Sequence, residues 1–351
     1  MKTLALLPTL LLCAFANAQG DTVHLTTGTV VEGVTVQSFT IRELKYTKGG
    51  SAETVSTEQV AKVDLKKFKD VFKRSIAGKD PELMLTEARN QFTKAKDPLL
   101  TQFGYLECAR LFYLGGVDAS GGGAIEELQK AIPDAGVLPD CYRLKFENYL
   151  GQGDAAGIGN AVLLAKKYST EATTNAWPNG FAIEADFFAA LAEGAAKGDA
   201  KAFQAKMREV VTKAAGAMPV LAARANVQLA HSLRLTGAMD QAAEIYQQIL
   251  DSKVNDDNSR AGAWLGIGYA AMAKGDAANR EPFHEALLSF LRVRLETKSA
   301  WGSLQAEALY NAMLSAEKWG GQDYRQIQAR CRQVLLTNFG SSEWAARARG
   351  Q

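Results

Sequence analysis

Apolar residues recur at two different spacings along the chain, which divides into a short strand-like part and a long helical part. Near the N-terminus, short alternating runs such as Val23 and Leu25 end at glycines such as Gly28, a pattern typical of β-strands. Further along, apolar positions follow the three- and four-residue spacing of amphipathic helices. The pattern therefore predicts a small β module over residues 19–65 and a helical region over residues 81–348.

Glycines at turns recur at a regular interval within the helical region. They are Gly153, Gly198, Gly237, Gly275 and Gly320. Their spacings of 45, 39, 38 and 45 residues predict stacked two-helix units, because one such hairpin cannot bury its apolar face alone. Glycine suits the position after a helix, where φ is positive. We expect Asp154, Asp199 and Asp276 to cap the helices that follow.

One of these units, from Ala223 to about Val254, resembles a tetratricopeptide repeat. The matching positions are Leu229, Ala230, Gly237, Ala242, Tyr246 and Ile249. The next first helix is similar around Gly268, and a third unit follows around Ala308 and Tyr310. The resemblance implies a mainly α fold, an α-solenoid of tetratricopeptide-like hairpins after the β module, in which first helices line a concave groove. Small residues such as Ala230 would then lie where two helices cross closely.

Before the matching repeats, periodicity alone indicates hairpins. They are expected over residues 138–168 and 180–215, with one or two more over residues 81–132. Gly121-Gly122-Gly123 is not followed by the Lys-Ser/Thr of a phosphate-binding loop. We expect these glycines to form a flexible link before a helix over residues 124–132.

The first 18 residues have the layout of a secretory signal peptide. Lys2 gives a basic start, an apolar stretch runs from Leu4 to Phe15, and Ala16-Asn17-Ala18 offers the small residues that a signal peptidase reads. The stretch is too short for a membrane span. We expect cleavage near Ala18 and a periplasmic or secreted location. Lipidation of Cys13 is disfavoured because a large residue precedes it.

Residues 66–80 form a basic joint between the two parts. Lysines alternate there with Phe68, Val71 and Phe72. Such a stripe either rests on an anionic membrane surface or, as we favour, packs against its own protein. Asp80 is expected to cap the helix that follows.

Composition narrows the classes of partner. The net charge is +2, and acidic and basic residues are interspersed, whereas nucleic-acid binding needs a concentrated basic face. We expect no nucleic-acid partner and no transmembrane segment after the leader. Beyond Cys13 the cysteines are Cys108, Cys141 and Cys331. An oxidising compartment permits a Cys108–Cys141 bridge, but we favour three buried thiols.

Motifs that carry catalysis are absent from the sequence. There is no GxSxG elbow, no HExxH pair and no Cys/His cluster, and the three histidines are far apart. We therefore predict a protein that is not an enzyme and that has no cofactor or metal. An enzyme of unrecognised type stays an alternative, because a pair of catalytic carboxylates leaves no sequence motif.

The concave face of the repeats is the predicted binding surface. The candidate residues for partner binding are Arg224, His231, Arg234, Tyr269 and Tyr310. Arginine beside tyrosine suits a peptide or a carboxylate ligand, since bidentate hydrogen bonds and apolar contact act together. The same register places Val227, Leu265 and Met272 on this face, and whether those three are groove or core stays open.

These observations favour an exported scaffold that holds a peptide or protein partner in its groove. The alternative is an envelope structural or assembly protein in which the β module contacts a second partner. The identity of the partner is not encoded in any of these patterns.

Overall fold

The fold is mainly α, with a small antiparallel sheet at its N-terminal end. The computed structural model describes residues 20–254, 256–298, 300–340 and 342–350, and the predicted leader lies outside them. The strands are β1 (Asp21–Leu25), β2 (Val30–Phe39), β3 (Glu43–Lys48), β4 (Ser51–Ser56) and β5 (Val60–Asp64). They form one sheet in the order β4-β3-β2-β1-β5.

Alternation along β2 gives the sheet one buried face. Val31, Val34 and Val36 are buried while their neighbours are exposed, as expected for a half-buried strand. The register between β1 and β2 shifts beside Gly33, whose φ of 70° lies in the left-handed region. Gly33 is therefore the extra residue of a β-bulge.

Helices follow the sheet without further strands in the described ranges. They are α1 (Lys66–Val71), α2 (Lys73–Gly78), α3 (Pro81–Asn90), α4 (Pro98–Leu114), α5 (Asp118–Ala131), α6 (Leu138–Gly151), α7 (Ala155–Thr174), α8 (Asn179–Lys197), α9 (Ala200–Ala214), α10 (Pro219–Leu235), α11 (Met239–Asp251), α12 (Asp257–Met272), α13 (Glu281–Glu296), α14 (Gly302–Trp319), α15 (Tyr324–Asn338) and α16 (Glu343–Arg349). A short π-helical turn, Gln91–Ala95, extends α3. Helices that follow one another pack as hairpins, and α12 also contacts both α10 and α14.

The predicted turns are largely confirmed. Gly153, Gly198, Gly237 and Gly320 all have positive φ. Asp154 and Asp199 accept hydrogen bonds from the backbone N–H groups three residues on and so cap α7 and α9. The prediction for Asp276 is wrong. Its carboxylate accepts from the N–H groups of Ala278 and Asn279 and closes a turn, because α13 begins only at Glu281.

Helix α12 crosses its neighbours closely through glycines. A side chain at Gly262 would collide with Val227 of α10, and one at Gly268 would lie 2.5 Å from the ring of Phe290 on α13. Ala230 is likewise fully buried. The close crossings that the repeat pattern predicts are therefore present, with glycine making room for apolar side chains of the adjacent helices.

The predicted link at Gly121-Gly122-Gly123 is wrong. All three glycines lie inside α5, which already begins at Asp118. A side chain at Gly121 would lie 3.0 Å from the ring of Tyr113. Packing of that ring against the helix backbone outweighs the low helix propensity of glycine.

The basic joint consists of α1 and α2. Phe72 is fully buried, and Phe68 packs against it with ring centroids 4.6 Å apart and against Phe103 of α4 at 6.4 Å. The apolar stripe therefore rests on its own protein, as favoured. Asp80 accepts a hydrogen bond of 3.0 Å from the N–H of Leu83, which confirms it as the cap of α3.

The cysteines of the described part are free. Cys108, Cys141 and Cys331 are all buried on helices, so the structure contains no bridge between the first two. In the described residues we also found no helix both long enough and apolar enough to cross a membrane.

The glycine crossings give a test of packing. Gly268→Ala should lower the free energy of unfolding by about 1–3 kcal/mol, because the added methyl group displaces the Phe290 ring. The matched control is Gly159→Ala on α7, where a side chain would meet nothing within 4 Å and helix propensity predicts a gain of up to about 1 kcal/mol. Urea denaturation measures both variants, and equal stability of the two would contradict the crossing.

Candidate functional site

A large concavity lies between the sheet and the helices, and we call it the concavity throughout. Its volume is about 1930 Å³. Its wall includes β5, the inner faces of α4 and α6, the first half of α10 and the starts of α12 and α14; representative residues are Lys62, Arg110, Arg143, Glu147, Arg224 and Trp301. Segments far apart in sequence thus share one surface.

The sheet is fixed to the helices by hydrogen bonds over long sequence separations. Glu58, in the turn before β5, accepts 2.7 Å from the N–H of Gly180 at the start of α8. Arg42 donates 3.1 Å to the carbonyl of Asn175. A side chain at Gly180 would collide with both Glu58 and Met218. These contacts hold the β module as one side of the concavity.

A buried ion network on α6 and α8 forms part of the wall. Arg143 donates from Nε and Nη2 to the two oxygens of Glu184, at 2.7 and 3.0 Å, and from Nη1 to Asp140 at 2.7 Å. Tyr168 donates 2.7 Å to the same Glu184. Burial alone would lower the pKa of Arg143, but the two carboxylates hold it well above its ordinary value. Arg143 therefore stays charged, and its hydrogen bonds join α6 to α8.

Arg224, a predicted site residue, does line the concavity. Its guanidinium donates to Asp256 at 3.1 and 2.8 Å and lies 5.4 Å from the ring centre of Trp301. Asp256 also accepts from the N–H of Ser259 and caps α12. Burial by itself would raise the pKa of Asp256, but Arg224 and Ser259 hold it below the ordinary value. Arg224 thus joins three elements of the wall.

Glu147 of α6 contacts the start of α14 within the concavity. Its Oε1 accepts 3.2 Å from the hydroxyl of Ser303, 156 residues away at the start of α14. No ion pair within 4.0 Å involves Glu147 among the described residues. Burial raises the pKa of Glu147 to about 7, against the Ser303 hydrogen bond and the positive charges of Arg224 and Arg110.

His231, Arg234 and Tyr269 lie together in a different cluster, between α10, α11, α12 and α14. His231 Nδ1 is 2.7 Å from the Tyr246 hydroxyl. The Arg234 guanidinium lies 4.7 Å from the ring centre of Tyr269. The Tyr269 hydroxyl donates 2.6 Å to Glu307. These groups contact one another, so the cluster joins α10 to α11 and α12, and α12 to α14.

The remaining residues of the predicted face divide between core and edge. Tyr310 is half-buried, and its ring centre lies 5.4 Å from that of Trp344. Val227 and Leu265 are 4% and 1% exposed, which assigns both to the core. Met272 packs at the edge of the core.

Sequence reasoning missed Arg143, Glu147 and Trp301. Asp140, Arg143 and Glu147 do follow helical spacing on one face of α6, but that pattern is also typical of a solvated helix. What distinguishes them is contact with α8, α10 and α14, which local periodicity does not encode. Within the described ranges, no group of three His, Cys, Asp or Glu side chains could hold a metal ion.

Titration of His231 provides a test of the second cluster. Burial, with the nearby charge of Arg234, lowers the pKa of His231 to about 4 from 6.5. Between these values the unfolded chain binds more protons, so stability falls as pH falls. We expect His231 to account for a loss of about 2 kcal/mol between pH 7 and pH 5.

The measurement is urea denaturation at both pH values for the wild type, His231→Gln and His284→Gln. The His231→Gln variant should lose less stability on acidification. His284, half-exposed on α13 beside Glu281, serves as control and should leave the wild-type loss unchanged. An identical loss in all three proteins would show that His231 is not held neutral by the fold.

Comparison with known proteins gives no family for this chain. No protein-family model matches it, and no curated protein matches it. The functional assignment must therefore come from the chemistry of the concavity.

Proposed function

We propose that this chain is a non-enzymatic scaffold that binds a peptide or a segment of a protein partner in the concavity. The size of the concavity carries the proposal. Pockets for small molecules enclose about 300–1,000 Å³, whereas this one encloses about 1930 Å³ and is bounded by several helices and a sheet. Such a space suits an extended chain of several residues.

The helices that bound the concavity are, in this proposal, the first helices of a tetratricopeptide-like solenoid. The contacts of α12 with both α10 and α14, and of α14 with α16, support this arrangement, because first helices of successive hairpins lie side by side in such arrays. The glycine crossings of α12 support it as well. Their inner faces then form one continuous wall.

The chemistry of the wall suits recognition of a peptide. Fixed arginine–carboxylate pairs offer hydrogen bonds to a peptide backbone, and apolar residues such as Leu114 and Trp301 offer contact area. Of the predicted partner-binding residues, Arg224 takes part directly. His231, Arg234, Tyr269 and Tyr310 would act by supporting the wall.

The site of action is proposed to be the periplasm or the exterior of the cell, on the basis of the leader-like first 18 residues. A role in envelope structure or assembly is the second candidate. It is favoured by β4, an edge strand whose first four residues are all exposed, because a free edge can pair with a strand of another protein.

Arg224 is a poor position for testing binding, because its loss would strand the buried Asp256 and unfold part of the wall. Two exposed leucines give a cleaner comparison. Leu114 lines the concavity, Leu163 lies on α7 outside it, and each side chain is 65% exposed. A photo-crosslinking amino acid at either position should leave the fold intact.

We expect a partner from cell-envelope extract to become covalently joined to the chain that carries the crosslinker at position 114 and not to the chain that carries it at position 163. Mass spectrometry identifies the joined peptide. Equal crosslinking at both positions would contradict binding in the concavity. So would a partner that the chain retains but that crosslinks at neither position.

A further inference from the structure

Glu147 is a half-buried carboxylate of the concavity that forms no ion pair in the described residues. The arginines of the concavity are matched: Arg110 pairs with Glu107 at 2.7 Å, and Arg143 and Arg224 pair with the carboxylates described above. Glu147 has only the Ser303 hydroxyl as a hydrogen-bond partner in the described part of the chain. The arginines whose charges act on Glu147, Arg224 and Arg110, therefore already form ion pairs with other carboxylates.

The position of Glu147 allows a ligand in the concavity to contact it. It lies on α6, lines the concavity and contacts Ser303 at the start of α14. A half-buried carboxylate is costly without a compensating charge. A bound cation removes that cost and forms charge-assisted hydrogen bonds with the free oxygen.

We propose that Glu147 is the specificity residue of the concavity and binds a lysine or arginine side chain of the partner peptide. This inference rests on the proposed function and names the chemistry of the partner. Glu147 accepts from the ammonium or guanidinium group, while Ser303 fixes its other oxygen. The carboxylate of Glu147 forms no ion pair with an arginine of the wall in the described part of the chain.

Protonation of Glu147 would weaken this recognition. The charges that act on Glu147 are Arg224 on α10 and Arg110 on α4, each held by its own carboxylate. Because burial raises the pKa of Glu147 to about 7, its negative charge is present above pH 7 and is lost as pH falls. Affinity for a basic peptide should therefore decrease between pH 8 and pH 6.

The test is selection of a random dodecapeptide library displayed on phage against residues 19–351 at pH 8. Enriched sequences should share a lysine or arginine. One of them is then synthesised with an acetylated N-terminus, so that the side chain is its only cation. Replacing that residue by alanine in the peptide, or Glu147→Gln in the chain, should each weaken binding at least tenfold, a difference of about 1.4 kcal/mol.

Combining the two changes should cost little more than either alone, since both remove the same contact. Glu244→Gln is the matched control, because Glu244 is exposed on α11 and lies outside the concavity. It also removes one negative charge from the chain, and we expect a less than threefold effect. Glu147→Gln keeps the size of the side chain and its contact with Ser303, and thermal denaturation checks that the variant is folded.

Three results would overturn the inference. In the first, enriched peptides bind Glu147→Gln as tightly as wild type. In the second, Glu244→Gln is as damaging as Glu147→Gln, which reduces the effect to net charge. In the third, the enriched peptides bind inside the concavity with no basic residue. Failure to select any peptide is a different result, because it would contradict the proposed function itself.

Discussion

The close approach of neighbouring helices is the constraint on which the concavity depends. Where α12 crosses α10 and α13, glycine lets the side chains of the neighbouring helices fill the space that a side chain would occupy. Larger residues at these crossings would push α12 away from α10 and α13 by the width of a methyl group or more. The wall is formed by several such helices together, so its shape depends on residues that never contact a ligand.

Electrostatics adds a second requirement to this packing. The arginines of the wall are held by carboxylates from other elements, as Arg143 is by Glu184 and Arg224 by Asp256. Pairs of this kind add little net stability, because desolvation offsets the attraction. These pairs fix the guanidinium groups of Arg143 and Arg224 between two elements each. The polar groups of the wall are therefore in place before a ligand binds.

Local patterns predicted the parts of the fold that local contacts decide. The turn glycines Gly153, Gly198, Gly237 and Gly320 and the caps at Asp154 and Asp199 each depend on a few adjacent residues, and the structure has them. The glycines of α5 were misassigned because their helix is held by the ring of Tyr113, which lies in another helix. Helix propensity alone does not encode such a contact.

The candidate site was less predictable for the same reason. Repeat register selected Arg224, which lines the concavity. It also selected Arg234 and Tyr269, which contact each other rather than the concavity. The Glu147–Ser303 contact joins residues 156 positions apart, and nothing in either helix distinguishes these side chains from solvated ones.

The ion pairs that hold Arg143 and Arg224 restrict what the concavity can recognise. Paired arginines and carboxylates present hydrogen-bonding groups but little net field, so they accept a peptide backbone of almost any sequence. Discrimination must then come from a group that is not internally matched, and its burial makes mismatched ligands costly. In this wall Glu147 has that property, which is why the general shape of the concavity points to a peptide and one carboxylate points to the kind of side chain it carries.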